Sequence, residues 1–494
     1  MEILNPIILT SLTPLVGTLL LLPIPGRNKK LCRNLSFLVS CLTFIFSLVL
    51  WLQFDSLDPS FQFLTTVNFI PSFNLYYTVG IDGVSLFFII LTTFLVLVCI
   101  LVSWTNTKRY LKEYLCCFLF LEFLLIQVFC VLDLLLFYIF FESVLMPMFL
   151  IVGIWGSRER KIKAAYQFFL YTLIGSLLML LSILVIYFQV GTTDLQVLWV
   201  QEFSEKKQIL LWLGFFASFA VKIPMVPFHI WLPEAHAEAP TSGSVILAGI
   251  LLKMGGYGFL RFSLPMFPLA TVYFTPLIFT LSLIAAIYAS LTTLRQVDLK
   301  KIIAYSSVSH MSFVTIGIFS SNIQGIEGSI ILMLSHGLVS SALFICVGVL
   351  YDRYHTRIIK YYGGLSQVMP VFTLFLTFFI FSNMGFPGTS SFVGELLVLL
   401  GVVNSSKTLT FFVSISLILG AAYSIWLLNR VCFGILKLDY LIAFQDISRR
   451  EFLILFTFTI LIGWIGIYPN ILLDEIHLSV FNLLETLNYF KTRI

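Results

Sequence analysis

Charge is what this chain has least of. Only 11% of its 494 residues are Asp, Glu, Lys or Arg, 59% are hydrophobic, and the mean hydropathy is +1.01. That balance excludes an ordinary soluble domain, in which about a quarter of residues are charged. Chemical motifs are equally scarce. No Gly-rich dinucleotide fingerprint follows a strand and no phosphate-binding loop occurs. The eight cysteines, from Cys32 to Cys432, show no CxxC or Cys/His ligand spacing and read as small buried apolar residues. Neither a redox centre nor a metal site is expected within this chain, and His229, His310 and His336 offer no recognisable haem pattern. The formal net charge of +5 is spread over short loops with no basic stripe, so no nucleic acid is implied as a partner.

What the chain has in quantity is long apolar runs. A lipid-crossing helix takes about 20 apolar residues. Fourteen such spans fit, near residues 5–24, 35–53, 83–104, 114–131, 133–155, 164–190, 209–231, 240–262, 270–292, 302–320, 328–350, 370–403, 409–432 and 452–470. They do not alternate in polarity as barrel strands do. The expected fold class is an all-α integral membrane protein of about 14 transmembrane helices, with no segment left for a soluble domain. The first run lacks a basic stretch before it and a small-residue cleavage site, so it reads as a span and not as a signal peptide.

Basic residues orient the bundle. In this layout one side carries Arg27, Lys29, Lys30 and Arg33; Lys108, Arg109 and Lys112; Arg158, Arg160, Lys161 and Lys163; Arg295, Lys300 and Lys301; Arg353, Arg357 and Lys360; and Arg430, Lys437, Arg449 and Arg450. The other side holds Lys206, Lys207, Arg261, Lys407, Lys491 and Arg493. The charge-rich face is therefore expected in cytoplasm, matrix or stroma, with both termini opposite. Loops 54–82 and 191–208 fall on the charge-poor side, and their hydrophobic content predicts packing against something.

Five charged residues lie inside the spans: Glu122, Glu142, Lys222, Lys253 and Glu395. Each costs roughly 2.5–3.5 kcal/mol at the helix centre on insertion scales, so such groups face one another or a water path and mark proton or ion routes. Two adjoin helix breakers: Lys222 precedes Pro224 and Pro227, and Pro387 and Gly388 interrupt an apolar stretch before Glu395. Proline removes a backbone donor and clashes with the carbonyl four residues back, so both spans are expected to break at mid-membrane. Breaks five helices apart suggest two inverted five-helix repeats with an ion path along their interface. The resulting division is 1–113 (helices 1–3), 114–262 (first repeat), 263–433 (second repeat) and 434–494 (loop and last helix). Glu122 has no break or base beside it, and a structural carboxyl fits it as well as a functional one. His229, His310 and His336 also lie within spans, and an unperturbed pKa of about 6.5 suits them to proton relay. His236 follows the Pro233 and Glu234 turn and is expected near a surface, while His355 and His477 read as loop or terminal residues without a special role.

Five blocks resemble a known family. They are FYIFFESVLMPMFLIVGIWGSRERKIKAAYQFFLYTLIGS around Glu142, VKIPMVPFHIWLPEAHAEAPTSGSVILAGILLKMGGYGFLRF with Lys222 and Lys253, KKIIAYSSVSHM, LSHGLVSSALFICVGVLYDR and PGTSSFVGEL. In this order they resemble the chain 4 family of proton-pumping NADH:ubiquinone oxidoreductase, respiratory complex I, of the plant, algal or protist type. The resemblance implies an antiporter-like membrane-arm subunit with one proton channel. Glu142 would be the acid paired with Lys222, Lys253 the central bridging base and Glu395 the terminal group, with the histidines near this axis. It also implies a place in the mitochondrial inner membrane, with both termini on the intermembrane-space side, among lipids and the neighbouring antiporter-like chains 2 and 5. NADH, FMN, iron–sulfur clusters and ubiquinone would belong to the whole complex. A cation/proton antiporter subunit and the equivalent subunit of the plastid plastoquinone oxidoreductase are the alternatives, and a purely structural membrane subunit is disfavoured by the buried charges.

Overall fold

Polar caps and prolines decide where the apolar runs become helices. The computed structural model describes residues 5–70, 74–107, 109–437, 440 and 445–491. Asn5 caps α1 (Pro6–Leu21), whose Pro6 occupies the first turn, where a missing N–H costs little. After α2 (Lys29–Gln53) the chain forms an antiparallel hairpin of β1 (Gln62–Ile70) and β2 (Leu75–Ile81), with Thr66 opposite Thr78. Asp82 caps α3 (Gly83–Val102) in a reciprocal box with Ser85. Then come α4 (Leu111–Cys130), the consecutive α5 (Leu134–Ser143) and α6 (Leu145–Trp155), α7 (Lys161–Val190), α8 (Leu195–Val200) and α9 (Glu205–Lys222). The next stretch is segmented into α10 (Trp231–Glu238), α11 (Thr241–Ile246), α12 (Leu252–Gly258) and α13 (Leu264–Met266), with π-helical turns at Leu247–Leu251 and Phe259–Ser263 flanking α12. The bundle is completed by α14 (Pro268–Arg295), α15 (Leu299–Phe319), α16 (Ile323–Tyr354), α17 (Leu365–Val368), α18 (Pro370–Asn383), α19 (Ser390–Ser405), α20 (Lys407–Cys432), α21 (Arg449–Ile467) and α22 (Asn470–Lys491).

Among the described residues, 11 helical segments are long and apolar enough to cross a membrane, and each coincides with an expected span. The remaining expected spans correspond to α1, to the pair α9 and α10, and to the pair α18 and α19. Both breaks fall at the prolines. α9 stops at Lys222 and helix resumes only at Trp231. Between α18 and α19 the turn uses Gly385 at φ +76° and Gly388 at φ +89°, a region that favours glycine.

Burial is graded across the bundle. α12 with its flanking turns, α15 and α16 are enclosed almost throughout, while α2, α20 and α21 turn most of their surface outward. Three features depart from expectation. The 54–82 loop contains the β-hairpin, and α22 follows the last expected span. Arg261, Lys300 and Arg357, read as loop bases, are buried because each finds partners. Arg261 lies 2.5 Å from Asp82 with its guanidinium against Phe61, Trp199 and Tyr257. Lys300 donates to the Ala239 carbonyl at 2.6 Å. Arg357 sits 3.7 Å from Asp298 and 3.9 Å from Glu238. The expected loop bases Lys108 and Arg493, and the chain ends at 1–4 and 492–494 on which the sidedness of the termini bears, lie outside the described residues.

Candidate functional site

The broken helices deliver ionisable side chains to the enclosed interior. Glu142 stands on the last turn of α5, just before a bend at Val144. Pro147 accounts for that bend, since it cannot donate to the carbonyl of Ser143. Glu142 is half-buried and its Oε1 has no hydrogen-bond partner. Lys222 ends α9 and is buried, with Nζ 4.6 Å above the centre of the Phe141 ring and no hydrogen-bond partner. Lys222 and Glu142 lie within range of each other's charge but make no direct bond.

Lys253 is held differently. It is wholly buried on α12, and its Nζ donates at 2.5 Å to the carbonyl of Ala248 in the preceding π turn. The same Nζ lies 2.8 Å from His336 Nδ1 on α16. A protonated lysine has only donors, so Nδ1 accepts and the neutral ring carries its proton on Nε2. The His336 ring is 5.7 Å, centre to centre, from that of His310 on α15. His310 Nδ1 lies 3.2 Å from Glu395 Oε1 on α19. The expected residues Lys253, His336, His310 and Glu395 thus form one contact series through four helices.

Of the other expected site residues, Glu142 and Lys222 stand apart from the series as described, and His229 is not joined to it either. His229 is buried beside Tyr288 and Tyr305, at ring distances of 5.8 and 6.3 Å, in the segment between α9 and α10. Glu122 faces α2, where Thr43 is its partner. One residue was misjudged. His236, expected near a surface, is wholly buried and stacked at 4.8 Å on Phe344, because Pro233 and Glu234 form no surface turn but lie in the first turn of α10, which carries the ring into the bundle. Neither of its nitrogens has a partner, and it feels the charges of both Lys300 and Lys253. His477, expected to have no role, pairs at 2.6 Å with Glu327 of α16. Among the described residues no group of three or more His, Cys, Asp or Glu side chains could hold a metal ion.

Chemically, the arrangement can hold and pass protons: two lysines, clustered histidines and two carboxylates, with a direct hydrogen bond of 2.8 Å between Lys253 and His336 and a 3.2 Å approach of His310 to Glu395 that is not itself a hydrogen bond. Comparison with known proteins agrees with this. The transmembrane family described as NADH:quinone oxidoreductase/Mrp antiporter matches residues 131–420. The chain is similar to NADH-ubiquinone oxidoreductase chain 4 of Chondrus crispus, 73% identical over 99% of each chain, and to that of Marchantia polymorpha, 61% identical over 96% of each. In three dimensions it is similar to a chain of respiratory complex I from Thermus thermophilus, with a TM-score of 0.88 at 30% identity, covering 97% of this chain and 99% of that one. It shares its fold with a chain of the Mrp complex from Dietzia sp. DQ12-45-1b, with a TM-score of 0.81 at 17% identity, covering 99% of this chain and 55% of that one. The chain therefore belongs to the NADH:quinone oxidoreductase/Mrp antiporter family, and within it to the NADH-ubiquinone oxidoreductase chain 4 group.

Proposed function

We propose that this chain is the proton-translocating, antiporter-like subunit of an NADH:ubiquinone oxidoreductase membrane arm, and that Glu142, Lys222, Lys253 and Glu395 carry the protons with His310 and His336 as relays. The observation that supports it most is the contact series from Lys253 Nζ to Glu395 Oε1. Quinone reduction elsewhere in the complex moves charge along the arm and separates Glu142 from Lys222. A lysine that loses its carboxylate neighbour in a buried site gives up its proton more readily. That proton reaches Lys253 through water. Lys253 passes a proton to His336 Nδ1 while the ring releases one from Nε2 toward His310, which protonates Glu395 for release on the charge-poor side. In this scheme His229 is a lateral branch, and His236, within range of the charges of Lys253 and Lys300, is a further relay. These groups titrate as one coupled set.

The same reading places the chain in the mitochondrial inner membrane, beside antiporter-like chains 2 and 5 and lipids, with 114–262 and 263–433 as inverted repeats. NADH, FMN, iron–sulfur clusters and ubiquinone are held by other chains. The test is proton translocation per NADH oxidised in vesicles carrying Lys222→Met, with assembly confirmed independently. A fall in the ratio with the complex intact places Lys222 on the coupled path; an unchanged ratio removes it.

A further inference from the structure

Glu122 stands apart from the relay, and its single shared hydrogen bond and uncharged surroundings bear on its protonation state. It is wholly buried on α4, with Oε1 2.6 Å from Thr43 Oγ1 on α2. Thr43 Oγ1 is also 2.8 Å from the Ser40 carbonyl oxygen. The hydroxyl has one proton and the carbonyl can only accept. With that proton directed to Ser40, the contact to Glu122 requires a proton from the carboxyl. Glu122 Oε2 has no partner at all. The buried faces of α1, α2 and α3, which pack around it, carry no charged side chain. An ionised carboxylate here would be fully desolvated with one shared hydrogen bond and no counter-ion, the costliest of buried states. A neutral acid needs only its single donor placed, and an unpaired carbonyl oxygen is the milder deficit.

We propose that Glu122 is a proton-binding site separate from the conducting series: a carboxylic acid that keeps its proton throughout turnover, donates it from Oε1 to Thr43, and pins α4 to α2. The series Glu122, Thr43, Ser40 ends on a backbone carbonyl, which has no proton to pass on. It is a dead end, so the group stores a proton and does not conduct it. The Ser47 and Thr93 hydroxyls, 2.8 Å apart, form a separate pair about one turn along α2.

The test uses the assembled complex in its membrane with Glu122→Gln, which keeps shape, neutrality and a donor. The expected result is an unchanged number of protons per NADH, together with loss of one protonated-carboxyl C=O stretching band from the infrared spectrum. A fall in the proton ratio in intact complex overturns the proposal, because the proton then leaves during turnover. Absence of any lost band also overturns it, because the acid is then ionised. Should Glu122→Gln fail to assemble, Thr43→Val keeps the acid and removes its acceptor. The band must then move to higher frequency, and a band that stays in place refutes the donor assignment. The infrared readout does not depend on whether Lys222 lies on the proton path.

Discussion

Replacing Lys253 by methionine separates proton relay from structural filling. The side chain is wholly buried and its ammonium makes two contacts, 2.5 Å to the Ala248 carbonyl and 2.8 Å to His336 Nδ1. Hydrogen bonds to charged groups contribute about 1.5–3 kcal/mol each, so a proton resting there is held by roughly 3–6 kcal/mol that no other atom at this point supplies. Without the station, a proton crossing to His336 loses that stabilisation, equivalent to about 10²- to 10⁴-fold in rate at 1.36 kcal/mol per decade. Stability changes little by comparison. Two acceptors are left unpaired, but a charge no longer has to be buried, and apolar replacement of a buried ion is often neutral. Lys253→Met is therefore expected to assemble, with its proton flux reduced at least about a hundredfold by this reckoning, read as protons per NADH in sealed vesicles. Lys253→Arg sharpens the test, since arginine keeps the charge but does not release its proton in proteins. Both variants should fail alike. A normal ratio and normal turnover in either one, in intact complex, would refute the relay.

Other substitutions probe the surroundings. Gly385→Ala puts a Cβ into Glu395 Oε2 at a left-handed φ of +76°; with assembly retained, the proton ratio should fall, and Gly385→Ala with an unaltered ratio would remove Glu395 from the exit. Asp82→Asn breaks the buried pair with Arg261 and leaves an uncompensated guanidinium, at a cost of about 3–5 kcal/mol, so a thermal-stability or assembly assay should register a clear loss. His310→Ala interrupts the contact series and should lower proton translocation, whereas His229→Ala, placed beside Tyr288 and Tyr305, should leave at least half of it. Equal effects of the two histidine variants in the same vesicle assay would contradict the separation of branch from axis.

The breaks were legible because proline acts locally. Pro224 and Pro227 end α9 wherever the rest of the chain goes, and the same holds at Gly388. The hairpin was not read from the sequence: LYYTVGI is rich in β-branched and aromatic residues, but it shows no clean period-2 alternation that would separate a strand from an apolar loop. Other features belong to packing across long separations. Nothing near Lys253 in sequence points to His336, 83 residues away, and the π turns at 247–251 and 259–263 have no distinguishing pattern in the sequence. His236 was misplaced for a related reason. A Pro-Glu pair reads as a surface turn, but here it lies in the first turn of α10, where proline is tolerated, and the helix carries the ring to Phe344. Burial of Arg261, Lys300 and Arg357 likewise depended on partners that come from other helices.

Phe141 and Glu142 are neighbours on one helix turn, and both compete for the same ammonium. Lys222 Nζ rests over the ring at 4.6 Å with the carboxylate in range. A desolvated cation–π contact contributes about 2 kcal/mol, and an ion pair at 4 Å about 4 kcal/mol at an effective dielectric near 20. The two perches differ by only ~2 kcal/mol, a population bias of about thirtyfold. On the function proposed above, with the ammonium over the ring in this structure, a modest change of field would suffice to move the lysine from the ring to the carboxylate. Because both groups ride on the same helix turn ahead of Val144, that move would need only the lysine's own swing, and the helix that carries them would not have to be rebuilt.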